Sequence, residues 1–82
     1  MMSKLTLDVI RIVILDNHTL VRAGLRLIIH SQSDLKVVGQ AGNPNEGLSL
    51  IEQSRPDIIL LEYDPISGFN FDVFTEINKA WG

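Results

Sequence analysis

I-R-I-V-I-L-D at residues 10–16 and D-I-I-L-L-E at residues 57–62 decide how this chain folds. Each is a short run of Ile, Val and Leu that stops on an acid, Asp16 in the first and Glu62 in the second, with Asp64 two residues further on. Short apolar runs bounded by turn residues predict strands buried on both faces of a parallel sheet. As parallel neighbours the two runs bring Asp16 and Glu62 to one edge, at the carboxyl ends of the strands. Open α/β sheets place their ligands in that crevice.

Between these runs the hydrophobic period alternates between strand-like and helix-like. Asn17, His18 and Thr19 offer cap and turn chemistry, and a helix follows. Leu20, Val21, Ala23, Gly24, Leu25, Leu27, Ile28 and Ile29 form its broad apolar stripe, with Arg22, Arg26 and His30 outside. Ser31 to Asp34 break the helix, and Leu35 to Ala41 read as a second strand, less apolar and so nearer a sheet edge. Gly42 to Asn45 form a turn, and a helix runs from Pro44 to Ser54 with Leu48, Leu50 and Ile51 as its apolar face. Arg55-Pro56 stops it. Asp57 to Tyr63 form the third strand, 64–68 a loop, and 71–80 a last helix with Phe71, Phe74, Ile77 and Trp81 turned inward. This β-α-β-α-β-α order, with short connections, predicts a parallel sheet with right-handed crossovers.

The composition bounds the function. At 82 residues the chain is one small domain with a marginal core. Its net charge is −3, and its basic residues (Lys4, Arg11, Arg22, Arg26, Lys36, Arg55, Lys79) are scattered along the chain, which argues against direct nucleic-acid contact by this segment. The absence of cysteine excludes disulfides, zinc thiolate sites and thiol catalysis. No apolar run reaches the ~20 residues of a membrane span, and residues 1–9 lack the apolar core of a signal peptide. A cytoplasmic protein is expected. No G-x-G-x-x-G motif is present, and the connection after the first strand holds no glycine, so a dinucleotide or Walker-type phosphate cradle is excluded as a motif.

The stretches at 10–26 (I-R-I-V-I-L-D-N-H-T-L-V-R-A-G-L-R), 34–43 (D-L-K-V-V-G-Q-A-G-N) and 55–64 (R-P-D-I-I-L-L-E-Y-D) resemble the receiver domain of bacterial two-component response regulators. The subfamily most similar carries a LuxR-type helix-turn-helix output domain. The resemblance implies a flavodoxin-like (CheY-like) doubly wound α/β sheet. The chain would carry only its β-α-β-α-β-α portion, in strand order 2-1-3, with residues 1–9 an N-terminal extension and 10–82 a partial, truncated receiver. It also implies phosphoryl transfer from a histidine kinase as the ancestral role. By resemblance Asn17 stands at the position of the direct Mg²⁺ ligand, Asp16 at that of an acid acting through water, and Glu62 at that of the phosphoacceptor Asp. An amide in place of a carboxylate weakens the hold on a hard dication. Glutamate is one methylene longer than aspartate, and a misplacement near ~1 Å can cost about a hundredfold in rate. The loop that reads Met-Pro-Gly in receivers has its proline shifted in Asp64 to Gly68. The fourth and fifth strands, which carry a phosphoryl-contacting Ser or Thr and a Lys, are not in this sequence.

Asp16, Asn17 and Glu62 are therefore expected to form at most a weak Mg²⁺ or Ca²⁺ site, with no catalysis. Three readings of Glu62 stand: a built-in phosphate mimic, a remnant of the acceptor, or an alternative acceptor. Asp64, just before Pro65, is read as a turn residue. His18 accompanies the subfamily pattern beside the crevice, and His30 is read as structural, favoured at a helix C-terminus by its charge. Gly24 is expected to let the first helix pack closely on the sheet, while Gly39 and Gly42 suit a bend and a turn. The third strand, central in a full receiver, is here an edge that invites pairing with another chain. Self-association through it is expected, and Ile59→Pro or Ile59→Lys would abolish it.

Overall fold

A computed structural model describes residues 8–66 and 68–81, so most of the expected N-terminal extension lies outside the described residues. The elements follow in the expected order: β1 (Ile10–Leu15), α1 (Thr19–His30), β2 (Leu35–Ala41), α2 (Pro44–Ser54), β3 (Ile58–Leu61) and α3 (Phe71–Trp81). The three strands form one parallel sheet in the order β2-β1-β3. β3 is shorter at each end than the apolar run suggests.

β1 is central and buried on both faces, which explains its unbroken apolar sequence. Successive side chains point to opposite faces of a strand, and each set has its own core. Ile12 and Ile14 pack with Ile29, Leu25, Leu35 and Val37 on the α1 side. Val13 and Leu15 pack with Ala41, Ile51, Phe69 and Ile77 on the α2–α3 side. Each such side chain taken from water contributes about 1.5–3 kcal/mol. The sheet is bent where the β1–β2 register slips: Ile12 faces Val37, but Val13 faces Gly39. The extra residue, Val38, resets the alternation, so Val38 and Gly39 both meet the α2 side. A Cβ at position 39 would come within 2.5 Å of a Leu50 methyl, so a side chain there would require Leu50 to shift.

Asn43 caps α2, its Oδ1 accepting from the Glu46 amide at 3.0 Å, and Asn70 Oδ1 serves α3 by accepting from the Val73 amide at 3.1 Å. Arg55 ends α2 in the left-handed region (φ 49°) and lets the chain turn into β3. At that lower edge Arg11 donates to the Arg55 carbonyl, and the Trp81 indole N–H donates to the Pro56 carbonyl at 2.8 Å, which moors the end of α3.

Three expectations about helix faces are corrected. Only one flank of the α1 stripe is inward: Ile29 is buried and Leu25 half-buried, but Leu20, Leu27 and Ile28 are exposed. Gly24 is on the outer side, where an added Cβ would meet open space, so it does not serve close packing on the sheet. On α3, Val73 and Ile77 face the core while Phe71 and Phe74 turn outward, their rings 6.2 Å apart. The aromatic that fills the core is Phe69, before the helix, where sequence periodicity gives no signal. His30 is structural, as expected, but through a hydrogen bond: its Nε2 accepts from the Val37 amide at 3.1 Å, tying α1 to β2.

Candidate functional site

The carboxyl ends of β1 and β3 meet as the two runs predict. The Glu62 amide donates to the Leu15 carbonyl (3.0 Å), and the Asp16 amide donates to the Ala41 carbonyl (3.1 Å). Asp16 is thereby clamped between both neighbouring strands and is 1% exposed. Its Oδ1 accepts from the His18 backbone amide at 2.8 Å. Its Oδ2 is buried with no hydrogen-bond partner. Arg22, one turn into α1, donates to the Asp16 carbonyl and brings a second positive side chain to the end of β1.

His18 joins the two acids. Its Nδ1 lies 2.9 Å from Asp16 Oδ1 and 2.7 Å from Glu62 Oε1, so a single N–H is shared between two carboxylates. One ligand-capable atom from each of Asp16, His18 and Glu62 falls within 4.8 Å of the others. His18 is the N-cap residue of α1, but its side chain makes no cap bond because it is committed to the acids. The expected cap by Asn17, His18 or Thr19 side chains is thus replaced by Asp16 Oδ1 receiving the His18 amide.

Asn17, placed by resemblance at the direct metal position, is exposed and outside this hydrogen-bonded group. Asp64 is a turn residue as expected, its Oδ1 accepting from the Ile66 amide at 2.9 Å. His18 is the site residue that sequence alone undervalued. It lies 44 positions from Glu62, and only the parallel pairing of β1 with β3 through a shared end brings the two together.

The cluster sets its own protonation. The Asp16 hydrogen bond, then the Glu62 hydrogen bond and charge, raise the His18 pKa above the ordinary 6.5. For Asp16, burial pulls upward, but the His18 amide, the Glu62 carboxyl and the His18 ring outweigh it and hold the carboxyl below the usual 3.8. A raised imidazole pKa contributes stability fully present below 6.5 and lost as pH rises through the folded value. A lowered carboxyl pKa contributes stability present above 3.8 and lost as pH falls through the folded value. The Tm difference between the protein and His18→Ser should therefore be largest between pH 3.8 and 6.5 and shrink at alkaline pH. Melting curves across that range check it; a difference that grows with alkalinity would contradict the shared proton.

An α/β sheet in the order 2-1-3, with buried Asp16 ending β1 and exposed Glu62 following β3, agrees with the fold that the resemblance to a receiver domain implies. No family model matches the chain. It is 43% identical over 70 residues to the transcriptional regulatory protein YhcZ of Bacillus subtilis, covering 85% of this chain and 31% of that protein. The response regulator domain of Thermotoga maritima CheB superposes with a TM-score of 0.78 at 32% identity, covering 88% of this chain and 54% of that one. A LuxR-family two-component response regulator from Aurantimonas superposes with a TM-score of 0.73 at 27% identity, covering 88% and 51%. The relatives of this chain are LuxR-type response regulators, and its structural neighbours are receiver domains. It spans about a third of the length of YhcZ and about half of the two solved chains. Among the described residues no helix is long and apolar enough to cross a membrane.

Proposed function

We propose that this chain is a cytoplasmic receiver of a two-component transcription regulator that passes on its signal by protein–protein contact and does not accept a phosphoryl group. The observation that carries this reading is the Glu62 carboxylate, held 2.7 Å from the His18 ring at the acceptor position. An attacking oxygen must be free and aligned for in-line transfer. Here one of the two carboxylate oxygens is engaged, on a side chain one methylene longer than aspartate, with an amide at position 17 in place of a second acid. The contact surface is the outer edge of β3, which among the described residues pairs only with β1, and its occupant is a second copy of the chain. No catalysis and no direct DNA contact belong to this reading.

The test is incubation with acetyl phosphate and Mg²⁺ followed by intact mass measurement, on the protein and on Glu62→Asp. Neither form should gain the mass of a phosphoryl group. A phosphoryl adduct that Glu62→Asp enhances would establish the rival reading, a Mg²⁺-dependent acceptor served by a histidine kinase and controlling a DNA-binding output domain outside this chain. One observation favours that rival: the Glu62 side chain is 43% exposed and so within reach of a small phosphodonor.

A further inference from the structure

We propose that His18, by bridging the Asp16 and Glu62 carboxyls through one ring nitrogen, takes the place that receivers give to a divalent cation, so that this acid pocket is held together without Mg²⁺. The donor set does not suit Mg²⁺, which demands near-octahedral oxygen coordination at about 2.0–2.1 Å. The space between Asp16 Oδ1 and Glu62 Oε1 holds a ring nitrogen, 2.9 and 2.7 Å from them. The Arg22 guanidinium on the Asp16 carbonyl further reduces the pull on a cation. His18 does what a bridging ion would do: one ring nitrogen, within hydrogen-bond distance of both carboxyls, links the end of β1 to the end of β3. It is a positioning residue, acting on Glu62 and Asp16.

Removal of the ring would leave two carboxylates within 4.8 Å of each other without their shared positive partner. Such a pair either holds a proton or recruits a cation. The buried, unpartnered Asp16 Oδ2 then offers the cation a further oxygen. Mg²⁺ binding and the His18 bridge therefore exclude one another.

His18→Ser is the variant of choice, because serine is a strong N-cap and spares α1 while deleting both carboxylate contacts. The readout is Tm with and without MgCl₂. The protein should shift by less than about 1 °C, and His18→Ser by about 6–11 °C at tenfold excess over Kd. A rise in the unsubstituted protein equal to that of the variant, or no response in a folded variant, would overturn the proposal. If His18→Ser does not fold, Mn²⁺ line broadening on the unsubstituted protein decides. Unbroadened amides at Asp16, Asn17 and Glu62 support the bridge, and selective broadening at these three overturns it. Because neither readout involves phosphorylation, the outcome stands apart from the acceptor question.

Discussion

Phe69→Ala should abolish the cooperative unfolding transition, while Phe71→Ala, two residues on, should leave it nearly unchanged. Phe69 is 1% exposed and sits in the core with Val13, Leu15, Ile51 and Ile77. Its own carbonyl accepts from the Asp64 amide at 3.0 Å, closing the loop that leads from β3 to α3. Truncating a buried phenylalanine costs about 3–5 kcal/mol through lost transfer energy and the cavity left behind. Small domains have total stabilities near the bottom of the ~5–15 kcal/mol range, so the loss leaves little or nothing. Phe71 is 65% exposed, its ring 6.2 Å from that of Phe74; surface substitutions of this kind fall within about ±0.5 kcal/mol. Urea denaturation followed by circular dichroism separates the two. Equal losses at both positions would show that α3 docks by its outer face instead.

Leu60→Lys should turn a self-associated protein into a monomer without altering its fold. β3 offers its outer edge between two apolar grooves, one floored by Val21, Leu25 and Leu60 on the α1 side, the other by Ile59, Phe74 and Trp81 on the α3 side. A charged side chain on an edge strand blocks strand addition. Ile59 is a poorer choice for the substitution, since its side chain packs against the core of the α2–α3 side, whereas Leu60 is 37% exposed. A two-fold interface contains both copies of the substitution, so about 1.4 kcal/mol at each weakens association about a hundredfold. Light scattering on the size-exclusion peak measures this. An oligomer that survives Leu60→Lys does not use β3, and a monomeric unsubstituted protein has no such contact at all.

The element order was legible because each run carries its own punctuation. Ile12 to Leu15 read as a buried strand, and they are the most buried residues of the sheet. Pro44 at the start of α2 and Arg55-Pro56 after it mark a helix that the structure places between those limits. What periodicity could not choose was the side a helix turns inward. α1 is apolar over so much of its circumference that Leu20 and Leu25 look equivalent; only the position of β1 and β2 selects Leu25 and Ile29. In α3 the two phenylalanines outweigh Val73 in hydrophobicity, yet Phe69 already fills the core space beneath the start of the helix. The acids of the site were legible from where strands end. The bridge between them was not, because a histidine at a helix start has the same local sequence whether its ring points to solvent or across to the neighbouring strand.

The mooring of Trp81 on the Pro56 carbonyl makes the chain its own fluorescent gauge. It has one tryptophan, and that indole is anchored at the foot of β3. Its one tyrosine, Tyr63, is at the opposite end of that strand, beside Glu62. Emission from the indole therefore follows the seating of the last helix, while tyrosine absorbance follows the acidic rim. The two ends of a single strand can be watched at separate wavelengths, with no label added.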